Sequence, residues 1–136
     1  MRRWLAAILL VWLALGCASS LPLVGTEWVA EQIDGRPVTP GVRSTLAFQS
    51  EKRAVGAAGC NRWFAAVKMP GNNGLSFEHP GTNRMACGAA AMEQESRFLA
   101  ALAAVRTYRL DGARLWLLDG GGAQRMRLTQ TRAPGS

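Results

Sequence analysis

The chain has 136 residues, 49% of them hydrophobic, which suits one domain with a real core and excludes a wholly disordered protein. Its formal charge is +7, yet all but Lys52 and Lys68 of its 16 basic residues are arginines scattered through an Ala- and Gly-rich sequence. With no recognition-helix, zinc-finger or RNA-binding signature, the basic balance is not a nucleic-acid footprint.

Met1-Arg2-Arg3 is a short basic segment, and Trp4 to Leu15 is an apolar run that ends in Gly16-Cys17. As a helix that run would measure about 18 Å, well short of a bilayer core of about 30 Å. Residues 1–16 therefore read as an export signal. Ala14-Leu15-Gly16-Cys17 resembles the bacterial lipobox, which makes Cys17 the expected lipidation site. Ala18 after it resembles proteins sorted to the outer membrane. The expected location is the bacterial envelope, lipid-anchored and facing the periplasm. Removing Arg2 and Arg3 from the 16 basic residues leaves 14 against 9 acidic ones, a balance of +5.

Residues 17–24 read as a short tether, and residues 25–129 as the folded domain. Trp28 to Ile33 alternates as a strand and stops at Asp34-Gly35, a hairpin signal. Pro37 and Pro40 mark Arg36 to Val42 as a loop. Ser44 to Phe48 is a second strand, Gln49 to Lys52 a turn, and Arg53 to Ala58 a third strand. Trp63 to Val67 is a fourth, followed by the turn Pro70-Gly71-Asn72-Asn73-Gly74 and a short fifth strand, Leu75 to Phe77. From Ala89 to Val105 the period becomes helical, with Ala91, Phe98, Leu102 and Val105 on one stripe flanked by Met92 and Leu99. Thr107 to Leu110, Arg114 to Leu118 and Gln124 to Thr129 then form a meander, and residues 130–136 read as a disordered tail.

Cys60 and Cys87 are the two cysteines outside the N-terminal run. In an oxidising compartment they are expected to bridge, tying the helix start to the end of the third strand and adding roughly 3–4 kcal/mol. A metal site built from them and His79 is the rival reading, but it lacks both a CxxC spacing and a second histidine. A bridge would also gather Asn61, Arg62 and Arg84, either as an anion-binding corner or as a satisfied turn with solvated arginines.

Four passages resemble the META domain, the HslJ-like heat-shock lipoprotein family. They are Gly25-Thr26-Glu27-Trp28; Val55 to Arg62; Arg84-Met85-Ala86-Cys87 with Glu95, Phe98 and Leu99; and Tyr108-Arg109-Leu110 with Leu115-Trp116-Leu117. The resemblance implies an α+β fold, a mostly antiparallel and partly barrel-like sheet with one packed helix. It also implies a link to envelope stress.

Catalytic candidates are sparse. His79, beside a turn, has no accompanying Ser or Cys signature and reads as a solvated loop residue. Glu93 and Glu95 sit two apart and face different ways on a helix. Gly120 to Gly122 lacks the Gly-Lys-Ser/Thr of a phosphate loop. No enzyme, cofactor, metal or nucleic acid is expected. In the meander, Tyr108, Leu110, Leu115, Leu117, Met126 and Leu128 should face inward, placing Arg109, Arg114, Trp116, Arg125 and Arg127 outward. That face could dock anionic lipid, lipopolysaccharide phosphate or an acidic envelope protein. The expected role is non-enzymatic binding or support under envelope stress. The alternatives are an adaptor or pilot lipoprotein for a secretion or assembly component, and a binder of a small hydrophobic ligand.

Overall fold

The structure, a computed structural model, describes residues 22–133. The export signal, the Cys17 lipidation site and residues 134–136 lie outside the described residues. The elements are β1 (Glu27–Ile33), β2 (Arg36–Pro37), β3 (Thr45–Ser50), β4 (Arg53–Ala57), β5 (Arg62–Lys68), β6 (Ser76–Thr82), α1 (Ala89–Ala104), β7 (Val105–Asp111), β8 (Arg114–Asp119) and β9 (Gln124–Arg132). The strands form one antiparallel sheet in the order β6-β5-β4-β3-β1-β9-β8-β7, with β2 paired to β1. The sheet curls until its two edges meet. Gly74 bridges to Thr107, Leu75 N donates to Arg106 O (3.0 Å) and Tyr108 N to Asn73 O (3.0 Å). The expected α+β fold, a mostly antiparallel and partly barrel-like sheet with one packed helix, is what the chain builds.

Antiparallel connection gives the barrel two mouths. One gathers Asp34-Gly35, the loop 39–44, residues 58–61 and Asp119 to Ala123, and α1 lies across it from the end of β6 to the start of β7. The other gathers the turn at Glu51-Lys52, the segment 69–74 and the entering N-terminal segment. At the Asp34-Gly35 corner both residues take positive φ (49° and 75°), as a two-residue hairpin turn matched to strand twist requires.

The interior is filled by side chains. Alternation in β5 buries Trp63, Ala65 and Val67, while Phe64 stays outside against Gly81. Trp63 packs edge-on against Phe98 of α1 (centroids 5.6 Å apart) and Phe77 of β6 (5.9 Å). Its indole N–H reaches across β4 to Thr45 O at 2.9 Å. This passage requires Gly56, where a Cβ would come 2.1 Å from that same oxygen. Trp28, Phe48, Ile33, Leu46, Leu115, Leu117, Met126 and Leu128 complete the core, so four of the six meander residues expected inside are fully enclosed and Tyr108 is nearly so.

Several expectations need correction. Leu110 is exposed, because the bonds that join β7 to the other sheet edge stop at Tyr108 and nothing covers the strand beyond it. The tail does not begin at residue 130: Gln130 pairs with Trp28 and Arg132 with Glu27, since β1 offers a free edge to the end of β9. Arg36 to Val42 is not wholly loop, because β2 continues the hairpin past the Asp34-Gly35 turn. Gln49 and Ser50 belong to β3, which leaves Glu51 and Lys52 as the turn. The fifth strand does not stop at Phe77. β6 runs to Thr82 through a bulge at which His79 takes φ 47°, so His79 is exposed within a strand and not in a loop.

The tether also ends earlier than residue 24. Leu23 has no exposed surface, its carbonyl accepts from Thr26 N, and Gly25 N donates to Phe48 O at 2.8 Å. A leucine inside a polar-flanked segment reads as linker, yet here it closes the mouth opposite α1. Leu23→Ala is therefore expected to cost about 2–5 kcal/mol in urea unfolding, the range for emptying a buried leucine site; a tether residue would cost nothing measurable.

Candidate functional site

The first candidate corner forms where α1 meets residues 58–62. Cys60 and Cys87 are bridged, with Cα atoms 5.9 Å apart, as the sequence led us to expect. Gly59 (φ 147°) lets the backbone pass so close to α1 that a Cβ would sit 2.9 Å from Ala91 O. Directly beneath, Glu95 is almost fully enclosed. Its Oε1 accepts from Asn61 N (2.6 Å) and Cys60 N (3.2 Å), and its Oε2 from Asn61 Nδ2 (2.8 Å). Asn61 then engages Met85 as a neighbouring strand would: its Oδ1 accepts from Met85 N (2.7 Å) and its Nδ2 donates to Met85 O (3.3 Å). Burial pushes the Glu95 carboxyl up, but these donors outweigh it and leave its pKa below the ordinary 4.5.

Asn61 thus spends its amide on the fold and offers a ligand nothing. Arg62 and Arg84 are exposed, and no hydrogen bond or ion pair holds either side chain among the described residues. Asn61 and Arg84 share the wall of a depression of about 350 Å³ with Met85 and Met92, whereas Arg62 does not line it. Sequence reasoning marked Glu95 only as part of the family pattern, without its burial, and missed its neighbour Gln94, which is wholly buried. Gln94 Oε1 accepts from Thr39 N (2.7 Å), and its Nε2 donates to Ser44 Oγ (2.9 Å) and Val42 O (3.1 Å). The helix therefore clamps two loops through adjacent polar residues. The available signal was their place one turn before the apolar stripe of Phe98 and Leu102.

The second candidate is the outer face of β7, β8 and β9. Register sets Arg109 beside Trp116 and Trp116 beside Arg127. The Arg109 guanidinium stands 4.4 Å over the Trp116 ring. Arg125 and Arg127 are occupied, by Asp34 of the turn after β1 at 2.6 Å and by Glu31 of β1 at 3.1 Å. The Asp34 bond also holds Arg125 more firmly protonated. Among the described residues Arg109 and Arg114 have no carboxylate within ion-pairing distance. The face is narrower than its sequence suggests, and its free charge lies at Arg109 and Arg114 around Trp116.

A second depression, about 400 Å³, lies at the seam and is lined by Ser76, Glu78, His79 and Arg106 among others. Ser76 Oγ donates to Glu78 Oε1 (3.1 Å), and no hydrogen bond joins His79 to Ser76. Among the described residues no three His, Cys, Asp or Glu side chains gather as metal ligands, and no helix is long and apolar enough to cross a membrane.

A small antiparallel barrel closed by one helix, with a disulfide and a buried Glu–Asn clasp at the junction, defines the class of domain. The META domain family matches residues 21–133, and the chain belongs to that family. Among solved structures, an NMR structure of a protein from Burkholderia xenovorans is similar at 27% identity and TM-score 0.64, covering 81% of this chain and 85% of that one. A second NMR structure, at 23% identity and TM-score 0.59, covers 79% and 89% and shares the fold. No curated protein matches the chain.

The depressed Glu95 pKa stabilises the folded state above the unfolded value of 4.5, and that contribution is lost as pH falls through the folded value. Asn61→Asp inverts this by setting a second carboxylate against Glu95. The variant is expected to lose about 3 kcal/mol or more at neutral pH and to recover part of it on acidification, as one carboxyl takes a proton. Urea midpoints measured across that pH range check both signs.

Proposed function

We propose that this META domain is a non-enzymatic binding module of the bacterial envelope. It would be held to the membrane by a lipid on Cys17 and present Arg109, Trp116 and Arg114 to an anionic envelope component. The carrying observation is the arginine stacked on Trp116 beside a second arginine, Arg114, whose cross-strand neighbour Asp111 does not reach ion-pairing distance. A desolvating aromatic with uncompensated positive charge suits contact with phosphate or carboxylate groups. Family membership and the N-terminal lipobox pattern support the envelope setting and a role under stress. The filled interior, with Trp28, Trp63, Phe48 and Phe98 all enclosed, weighs against a hydrophobic ligand held inside the barrel. Should the anionic component be one protein, the molecule acts as an adaptor.

In-cell crosslinking of the tagged chain, followed by mass spectrometry, tests this reading. A reproducible anionic component is expected, recovered with Arg43→Glu but lost with Arg109→Glu plus Arg114→Glu and with Cys17→Ser. Recovery of abundant porins alone, unchanged by the double substitution, would remove the docking face and the adaptor with it.

A further inference from the structure

The mouth opposite α1 carries a groove of about 720 Å³ between the β3–β4 turn and the end of β5. Val67, Met69 and Pro70 give it an apolar lining, with Glu51, Lys52 and Lys68 at its edge. Lys52 and Lys68 are the only lysines in a chain whose other basic residues are all arginine. Both are exposed, with 71% of the Lys68 side chain open to solvent. Glu51 is the one carboxylate in the lining, and Glu78 stands 4.0 Å from Lys68 Nζ. Arg53, beside Lys52, extends the basic rim along the outer face, where it lies over the Phe64 ring.

The chain enters at this same mouth. Gly25 bonds to Phe48, Phe48 pairs with Ala54 and Ala54 with Ala65, while Val67 N donates to Lys52 O at 2.9 Å. The entry point and the groove therefore stand on neighbouring strands at one end of the barrel. Only residues 18–21 separate Cys17 from the first described residue, a reach of about 17 Å even when extended.

We propose that this groove is the surface on which the domain rests against an anionic phospholipid bilayer. Met69 and Pro70 would enter the interface, and Lys52 and Lys68 would lay their aliphatic stems along it with their ammonium groups at the headgroup phosphates. The inference rests on the Cys17 anchor. Charge, apolar lining and tether length coincide at this mouth, whereas the other is occupied by α1 and its loops. Docking this way leaves the β7–β8–β9 face turned sideways, free for the component proposed above.

The lysines make the test direct, since in an N-acylated lipoprotein they are the only amines. The purified full-length lipidated protein, carrying Arg43→Lys as a reference amine at the α1 mouth, is placed in phosphatidylglycerol vesicles, phosphatidylcholine vesicles or detergent. It is then labelled with a membrane-impermeant amine-reactive ester and read by mass spectrometry. Lys52 and Lys68 are expected to label at least about fivefold more slowly in phosphatidylglycerol than in phosphatidylcholine or detergent, with the residue 43 amine unchanged. Equal slowing of all three amines, or none, overturns the docking. Slow labelling that persists in detergent assigns the groove to a protein neighbour and overturns it as well. A chain whose Cys17 carries no acyl mass overturns the anchor and this inference together, whereas an acylated chain with unprotected lysines overturns this inference alone.

Discussion

The structure depends on one buried carboxylate. Glu95 stands on the first half of α1 and collects two backbone N–H groups and one side-chain amide from Cys60 and Asn61. A charge that deep is costly in isolation, and it is tolerable here because three donors surround it. The same three bonds satisfy a turn that would otherwise bury its own N–H groups. Removing the carboxylate would leave those donors without acceptors at about 1–3 kcal/mol each, which is why the junction resists partial loss. The disulfide and the Glu95 clasp act on the same joint by different means, one restricting the unfolded chain and the other stabilising the folded one.

This joint has consequences along the whole barrel. A curled sheet with two edges leaves one seam and two mouths to close. Two backbone hydrogen bonds flanking Gly74 and Thr107 close the seam. At one mouth Leu23 closes the barrel, and at the other α1 does so through Gln94, Glu95 and Phe98. Because α1 has no side-chain cap at Gly88, its N-terminal end is held by Cys87 and these polar clamps and not by helix-end chemistry. With the interior filled, the features whose polar and charged groups are not spent on the fold lie outside, at the Arg109–Trp116–Arg114 face and the lysine-edged groove.

Much of this was legible in the residues. Two cysteines outside the N-terminal apolar run have one partner each, so their bridge was expected without any geometry. Alternation in β8 and β9 placed Leu115, Leu117, Met126 and Leu128 inside, because a two-residue period has only two faces. What escaped was whatever tertiary context overrides local pattern. Gln94 and Glu95 look like solvent-facing helix residues, and only the approach of residues 39–44 and 58–62 makes burial favourable for them. Leu23 sits in a stretch whose composition suggests a linker. Leu110 obeys the alternation yet lies past the seam, a limit set by strand stagger that no local window contains. The outer arginines were placed correctly, but their pairing with Glu31 and Asp34 depends on β9 lying against β1, a contact between distant parts of the chain.

The Glu95 carboxylate locks α1 to the barrel. The most direct measurement is native-state hydrogen exchange at the Cys60 and Asn61 amides, compared between the natural chain and Glu95→Gln with the disulfide intact in both. If that lock holds, both amides in the natural chain exchange only through global unfolding, and in the variant they exchange through a local opening while the β8 amides stay protected. Equal protection of the two amides in both proteins would contradict it, and would leave the disulfide as the sole fastening of the helix.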